Sequence, residues 1–264
     1  MITVKELQDK CRKYWNAQHI QRNALVKDNL FPLSLVKIRF TAAELSEEFG
    51  SIREEISRLQ AHSKKQKGFG YTLFYKTIQH RQLGRQSIPE SIVFETLPDF
   101  LKFSGLSEVY RNFGEALQMI LNMTPSLSSW LLDHTARILE YQTDWSKLLD
   151  VALFLRNNPK PNCYLRELPI VGIDSKFIER HRSILREILD EILPHESIYT
   201  EIDGFQNHGF ERRYGFKYPE PLIRFRTLDT TSLKNQLTDL SVPLSEFRAL
   251  SLPCDPIIIT ENKI

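Results

Sequence analysis

Cysteine is scarce in this sequence. Cys11, Cys163 and Cys254 are odd in number and far apart. That spacing excludes a paired disulfide framework and gives no zinc-ligand pattern. It suits three small buried hydrophobes in a reducing, cytoplasmic setting. Long apolar runs are also missing: none approaches the roughly 18 residues that cross a membrane. The start, MITVKELQDKCRKYW, has acidic residues and no apolar h-region, so it does not read as a signal peptide. No internal repeat or low-complexity tract is visible. Neither sign of charge dominates, since 35 Lys and Arg face 33 Asp and Glu for a net +2. A nucleic-acid surface must therefore come from local clustering. No Ser/His/Asp or Cys/His grouping stands out among the seven histidines. The runs HSKKQKGFG and HRQLGR lack the P-loop spacing and read as solvated loops, with a DNA or partner contact as the sharper alternative.

What is present supports a real core. At 41% hydrophobic residues, the 264-residue chain fits one large domain or two ordinary ones. Thr3 to about Trp15 reads as a first helix, with Val4, Leu7, Cys11, Tyr14 and Trp15 on one side. Phe31 to Phe40 alternates as a half-buried strand, Val36, Ile38 and Phe40 opposite Lys37 and Arg39. Thr41 and Glu44 form a capping box for a second helix carrying Leu45, Phe49, Ile52, Ile56 and Leu59, with a possible break near Gly50. Tyr71 to Ile78 and Ser91 to Glu95 read as strands around an excursion holding Gly84 and Pro89. With the first strand they predict a small antiparallel sheet.

From Pro98 to Asn157 the pattern is helical, in pieces centred on Phe100, on Tyr110 to Leu121, on Trp130 to Leu139 and on Trp145 to Leu155. Asn157-Asn158-Pro159-Lys160-Pro161-Asn162 then reads as a stop and linker.

The stretch that organises the remainder is LPIVGIDSKFIERH, Leu168 to His181. Asp174 is suited to cap a helix, with Ile173 and Ile178 at staple spacing. Ile178, Leu185, Ile188, Leu189 and Ile192 repeat at helical spacing, and Pro194 closes the helix. Lys176, Arg180, Arg182 and Arg186 flank the apolar stripe. His181 reads as a packed residue. Leu222 to Leu228 and Leu240 to Val242 read as two strands across a long loop. Pro256 to Thr260 is a short apolar strand of the kind found in buried sheets.

These residues carry a resemblance. LPIVGIDSKFIERH, FERRYGFKYPEPLIRFRTLD (Phe210 to Asp229) and HRQLGRQSIPESIVF (His80 to Phe94) resemble the JetD subunit of the bacterial Wadjet anti-plasmid systems. The resemblance implies an α+β protein with an N-terminal arm domain over residues 1–158, holding a small antiparallel sheet and helices. It implies a winged-helix domain over 163–252 and the first strand of a truncated Toprim domain over 255–264. The last two parts resemble the A subunit of topoisomerase VI. Toprim folds hold magnesium with a glutamate after the first strand and a later Asp-x-Asp pair, because hard cations take oxygen ligands. The resemblance assigns Glu261 to that glutamate, as catalytic and metal residue. Without the resemblance, Glu261 reads as a solvated turn residue, since one glutamate is a weak signal, and one carboxylate does not build a tight Mg2+ site.

For DNA, the first set is Arg212, Arg213, Lys217, Arg224 and Arg226, interleaved with Phe210, Tyr214, Phe216, Tyr218 and Phe225. Arg224 and Arg226 share one strand face, against Ile223 and Phe225. By themselves these residues also fit a surface face paired with Glu211 and Glu220; the winged-helix resemblance points to DNA. Lys176 and Arg180 are the better phosphate candidates on the capped helix. None of Tyr199, Tyr214 and Tyr218 is marked as a nucleophile.

The function implied is the DNA-binding part of a plasmid-defence nuclease subunit. Its partners would be double-stranded DNA, a condensin-like motor complex and a second copy in a homodimer, with no membrane. The rival is a non-catalytic module that binds DNA or the motor.

Overall fold

The computed structural model describes residues 2–41, 44, 48–80, 84–201, 208–226 and 239–250. Thr3 starts α1 (Val4–Asn16) with a reciprocal cap: its hydroxyl accepts from the Glu6 N–H, and the Glu6 carboxylate accepts from the Thr3 N–H at 2.8 Å. Leu7, Cys11 and Trp15 form the buried stripe. A second helix, α2 (His19–Val26), was not legible in the sequence. It buries only Ile20 and Gln21, too little for a clear period. The Thr41–Glu44 cap is formed, with the Thr41 N–H donating to Glu44 at 2.7 Å. The possible break near Gly50 is present: Glu44 is helical, Glu48 is a bend, and α3 (Phe49–Ala61) starts one residue before Gly50. Leu45, expected on this helix, is outside the described residues. Lys64–Lys67 (α4), expected as loop, is one helical turn closed by Gly68 at φ 75°.

Three strands form an antiparallel sheet in the order β1-β3-β2, from β1 (Leu33–Lys37), β2 (Thr72–His80) and β3 (Gly84–Phe94). The expected excursion between the last two is instead mostly strand. Gly84 to Glu90 continue β3, and the ladder runs from Thr72↔Val93 to His80↔Gly84. Pro89 pairs with Tyr75 of β2 at a break in the ladder, a bulge position where a residue without an N–H is tolerated. A register shift between Phe74 and Tyr75 sits opposite.

Under this sheet lies the first core. Tyr71, Phe94, Phe100 and Phe103 meet edge-on or tilted at centroid distances of 5.1 to 6.0 Å. Phe100 and Phe103 come from α5 (Leu97–Ser104), which Thr96 caps. Asp99, nine-tenths buried, takes the Lys64 ammonium at 2.8 Å, the Thr96 hydroxyl at 2.7 Å and the Gly70 N–H at 3.3 Å. Burial pushes its pKa up, but these donors outweigh it and hold the carboxyl below its ordinary range.

The second core begins on α6 (Ser107–Met123) and takes in α7 (Ser128–Asp133), α8 (Thr135–Glu140) and α9 (Trp145–Asn157). Trp145 is fully buried, and its Nε1–H donates to the Ile138 carbonyl at 3.0 Å. Tyr110 and Leu139 pack against both cores and join them. The buried cluster continues past residues 157–162 through Leu165, Phe177, Ile184, Leu185, Ile188 and Leu189 to Phe210, Tyr214 and Phe216. The prolines interrupt the helix there, not the core.

Asp174 caps α10 (Ser175–Arg180), its carboxylate accepting from the Phe177 N–H at 2.7 Å. The expected single helix is two. His181 separates α10 from α11 (Arg182–Ile192), buried with Nδ1 at 2.8 Å from the Phe177 carbonyl and Nε2 at 3.2 Å from Asp144. A ring held between a turn of its own helix and the start of α9 fixes the bend. All five stripe residues, Ile178, Leu185, Ile188, Leu189 and Ile192, are buried.

After α12 (Gly209–Arg213), β4 (Leu222–Arg226) and β5 (Asp239–Pro243) pair antiparallel, Leu222↔Pro243 to Arg226↔Asp239, and α13 (Leu244–Ala249) lies on them. Ile223 and Phe225 are half-buried, and Phe225 meets Phe247 at 5.3 Å. The expected strand at 256–260 and Glu261 lie outside the described residues.

Two consequences are measurable. The Gly215 φ is +71°, and an added Cβ there would stand 2.8 Å from the Lys160 Cα. Gly215→Ala should lower stability by at least the ~1–3 kcal/mol of a strained backbone position, read by denaturant unfolding. Asp99 contributes stability that is present above the ordinary carboxylate range and lost as pH falls through its depressed pKa. Asp99→Asn should therefore flatten the acid limb of a stability–pH curve below about pH 4.

Candidate nucleic-acid interface

The seven cations expected to touch DNA do not share one environment. Arg213 is removed from the set. Its side chain is only 9% exposed, and its guanidinium grips Asp190 with two hydrogen bonds, at 3.1 and 2.9 Å. Burial works against the charge, and Asp190 outweighs it. The Tyr214 hydroxyl donates to the same carboxylate at 2.7 Å, and burial together with that bond pushes the phenol pKa up. These residues hold α12 against α11. A phosphate would have to displace a preformed carboxylate from an arginine whose side chain is only 9% exposed.

Arg224 is exposed but occupied. Its guanidinium pairs with Asp239 across the β4–β5 ladder, with Nε 2.9 Å from Oδ1 and Nη2 bonded to Oδ2. The anticipated partners Glu211 and Glu220 are used elsewhere. Glu211 is buried and takes Arg182 at 2.7 Å, while Glu220 accepts from the Ser245 N–H and hydroxyl. The strand alternation holds: Leu222, Arg224 and Arg226 are exposed, Ile223 and Phe225 half-buried.

The other five cations differ. Lys176, Arg180, Lys217 and Arg226 are exposed and make no ion pair among the described residues. Arg212, half-buried, lies with its guanidinium 6.0 Å from the Tyr218 ring centre, and the His208 ring stacks on that same tyrosine at 5.7 Å. Arg182 and Arg186, by contrast, are paired, with Glu211 and Asp190.

Backbone pairing brings the chain near Lys160 to this surface. The Lys217 N–H donates to the Cys163 carbonyl at 2.9 Å, and the Asn162 N–H to the Gly215 carbonyl at 3.1 Å. Lys160 Nζ sits 4.3 Å from the Tyr199 ring centre, and the Arg166 guanidinium 4.9 Å from that of Tyr164. Lys160 was not legible as a site residue, because it meets residues 39 and 55 positions away and no local spacing marks such a pair.

For chemistry the described residues offer less. Among them, no group of three or more His, Cys, Asp or Glu side chains could hold a metal ion. They do not fit a magnesium site, and no step of strand cleavage is derived from them. Nor is any of the described helices long and apolar enough to cross a membrane.

The contrast between paired and unpaired cations is testable. Arg213→Met should cost on the order of 3 kcal/mol, near the low end for a broken buried pair because Asp190 is 31% exposed. Arg226→Gln should leave the unfolding midpoint unchanged and reduce the salt slope of DNA binding. The reverse pattern would refute the assignment.

Comparison with known families gives two matches. Residues 4–190 match the family described as "Uncharacterized protein conserved in bacteria N-term (DUF3322)". Residues 215–264 match "Wadjet protein JetD, C-terminal". The first match runs without a break across residues 158–163, as the buried cluster does. No curated protein matches the chain. Since the N-terminal match alone spans well over half of the sequence, the chain belongs to that bacterial family and, with its C-terminal match, is a JetD-like Wadjet protein.

Proposed function

We propose that this chain is the DNA-binding part of a JetD-like plasmid-defence subunit, gripping duplex DNA by its phosphates. The observation that carries this reading is the exposure of Lys176, Arg180, Lys217 and Arg226, none of which makes an ion pair among the described residues, in a protein whose net charge is only +2. Exposed cations that no described carboxylate holds in an ion pair are available to neutralise phosphate, and the Asp239 opposite Arg226 is already engaged by Arg224. Such contacts position DNA without reading its sequence, which suits a sensor of plasmids in general. Helix α11, the short α12 and the β4–β5 hairpin follow the order of a winged helix, and Arg226 on the outer strand face is where a wing would meet the backbone. In this reading residues 1–158 are the arm and 163–252 the winged-helix part, packed on a common core.

The proposed partners are duplex DNA, a condensin-like motor complex and a second copy of the chain, in the cytoplasm. Glu261 is proposed as the first carboxylate of a magnesium site that would need further oxygen ligands. When bound, magnesium would polarise the phosphate and stabilise the leaving oxygen.

Fluorescence anisotropy of the 264-residue chain on duplex DNA across a salt series tests the binding claim. Log affinity should fall linearly with log salt and be indifferent to sequence. Lys217→Gln with Arg226→Gln should reduce the slope by about 0.9 for each phosphate no longer neutralised. No binding, or binding insensitive to salt, would sink the reading. Cleavage is tested separately, with the native gene product and its motor on plasmid DNA in magnesium. Cutting should be lost in Glu261→Ala. Unchanged cutting removes Glu261, and intact binding without cutting in the parent protein identifies a non-catalytic module.

A further inference from the structure

We propose that the segment from Lys160 to Arg166, laid against residues 213–217, forms a second phosphate-contact site for the duplex DNA backbone, built from two cations each held over a tyrosine ring. It rests on the DNA-binding reading above and extends it to a stretch that the sequence presents as a linker.

The placement of this segment is set by backbone. Asn162 and Lys217 exchange hydrogen bonds with Gly215 and Cys163, and Tyr164 bridges Lys217 in parallel. Lys160 itself is in the left-handed region, at φ 53°, and its Cα and Cβ close over Gly215, where no side chain would fit. The cation position is therefore fixed from its root. At the tip, Lys160 Nζ lies 4.3 Å from the Tyr199 ring centre, and Arg166 lies 4.9 Å from that of Tyr164. Neither makes an ion pair among the described residues, and Tyr199 remains 39% exposed. Glu167, next to Arg166 in sequence, is turned to the chain, its Oε2 accepting from the Tyr164 N–H at 2.9 Å.

A cation held over a ring has already given up much of its rotamer freedom, so meeting a phosphate costs less entropy. The tyrosine hydroxyl beside it is a further donor for a phosphate oxygen. The 3-10 turn Leu165–Glu167 packs beside α10, which carries Lys176 and Arg180, while Tyr164 adjoins Lys217. Three separate parts of the chain thus contribute cations to neighbouring positions. Free fluctuating lysines would give the same charge without this preorganisation.

The test is Lys160→Gln with Arg166→Gln in the 264-residue chain, read by the salt slope of duplex DNA binding with thermal unfolding in parallel. The slope should fall by about 1.8, two phosphates at ~0.9 each, with the unfolding midpoint unchanged. Lys160→Arg with Arg166→Lys keeps both charges and should restore it. An unchanged slope overturns the proposal while leaving DNA binding in place, and a lowered midpoint beside it identifies a pinning role for the two pairs. A reduced slope that the charge-keeping variant does not restore also overturns it. If the parent chain shows no salt-dependent DNA binding, the underlying reading fails, and this site with it.

Discussion

Asp190 is the fixed point of the C-terminal half. One carboxylate on α11 receives two hydrogen bonds from Arg213, one from the Tyr214 hydroxyl and a longer contact from Arg186 at 3.7 Å. Arg213 and Tyr214 are buried, so removing this carboxylate would leave an uncompensated guanidinium in the interior. The arrangement locks α12 onto α11. It places Gly215, and Gly215 in turn places Lys160, Asn162 and Cys163. Asp190 thus uses Arg213 for the fold, as Glu211 uses Arg182 and Asp239 uses Arg224.

That division governs the functional reading. Of the charges on α10, α11, α12 and β4, those facing the core are consumed: Arg182 by Glu211, Arg213 by Asp190. Those facing water on α10, at Lys217 and at Arg226 make no ion pair among the described residues. In a protein with nearly equal numbers of acids and bases, this sorting, and not the net charge, creates a cationic surface.

The N-terminal half is organised by shape more than by charge. Tyr71, just before β2, interlocks with rings from β3 and α5 beneath the sheet, and the Lys64–Asp99 pair pins the turn after α3 to the start of α5. Tyr110 and Leu139 touch both cores, so the sheet and the helical layers share one interior. The continuity of the second core past Pro159 and Pro161 has a similar origin. Prolines remove backbone donors and end a helix, but they do not stop apolar side chains on either side from packing together.

Local periodicity and end chemistry in the sequence by themselves determined much of this protein. The α+β class, the antiparallel sheet, the Asp174 cap, the Thr41–Glu44 box and the five buried residues of the α10–α11 stripe depend on neighbours within a few positions. So did the two faces of β4. What only the tertiary structure decided was the fate of each charge. Arg213 and Arg226 look alike in sequence, both beside aromatics in a basic stretch. One is buried on a carboxylate 23 residues away and the other faces solvent. The bend at His181 was hidden for the same reason, since its partner Asp144 is 37 residues distant. Ion pairing is settled by three-dimensional proximity and burial, and neither is encoded in local spacing.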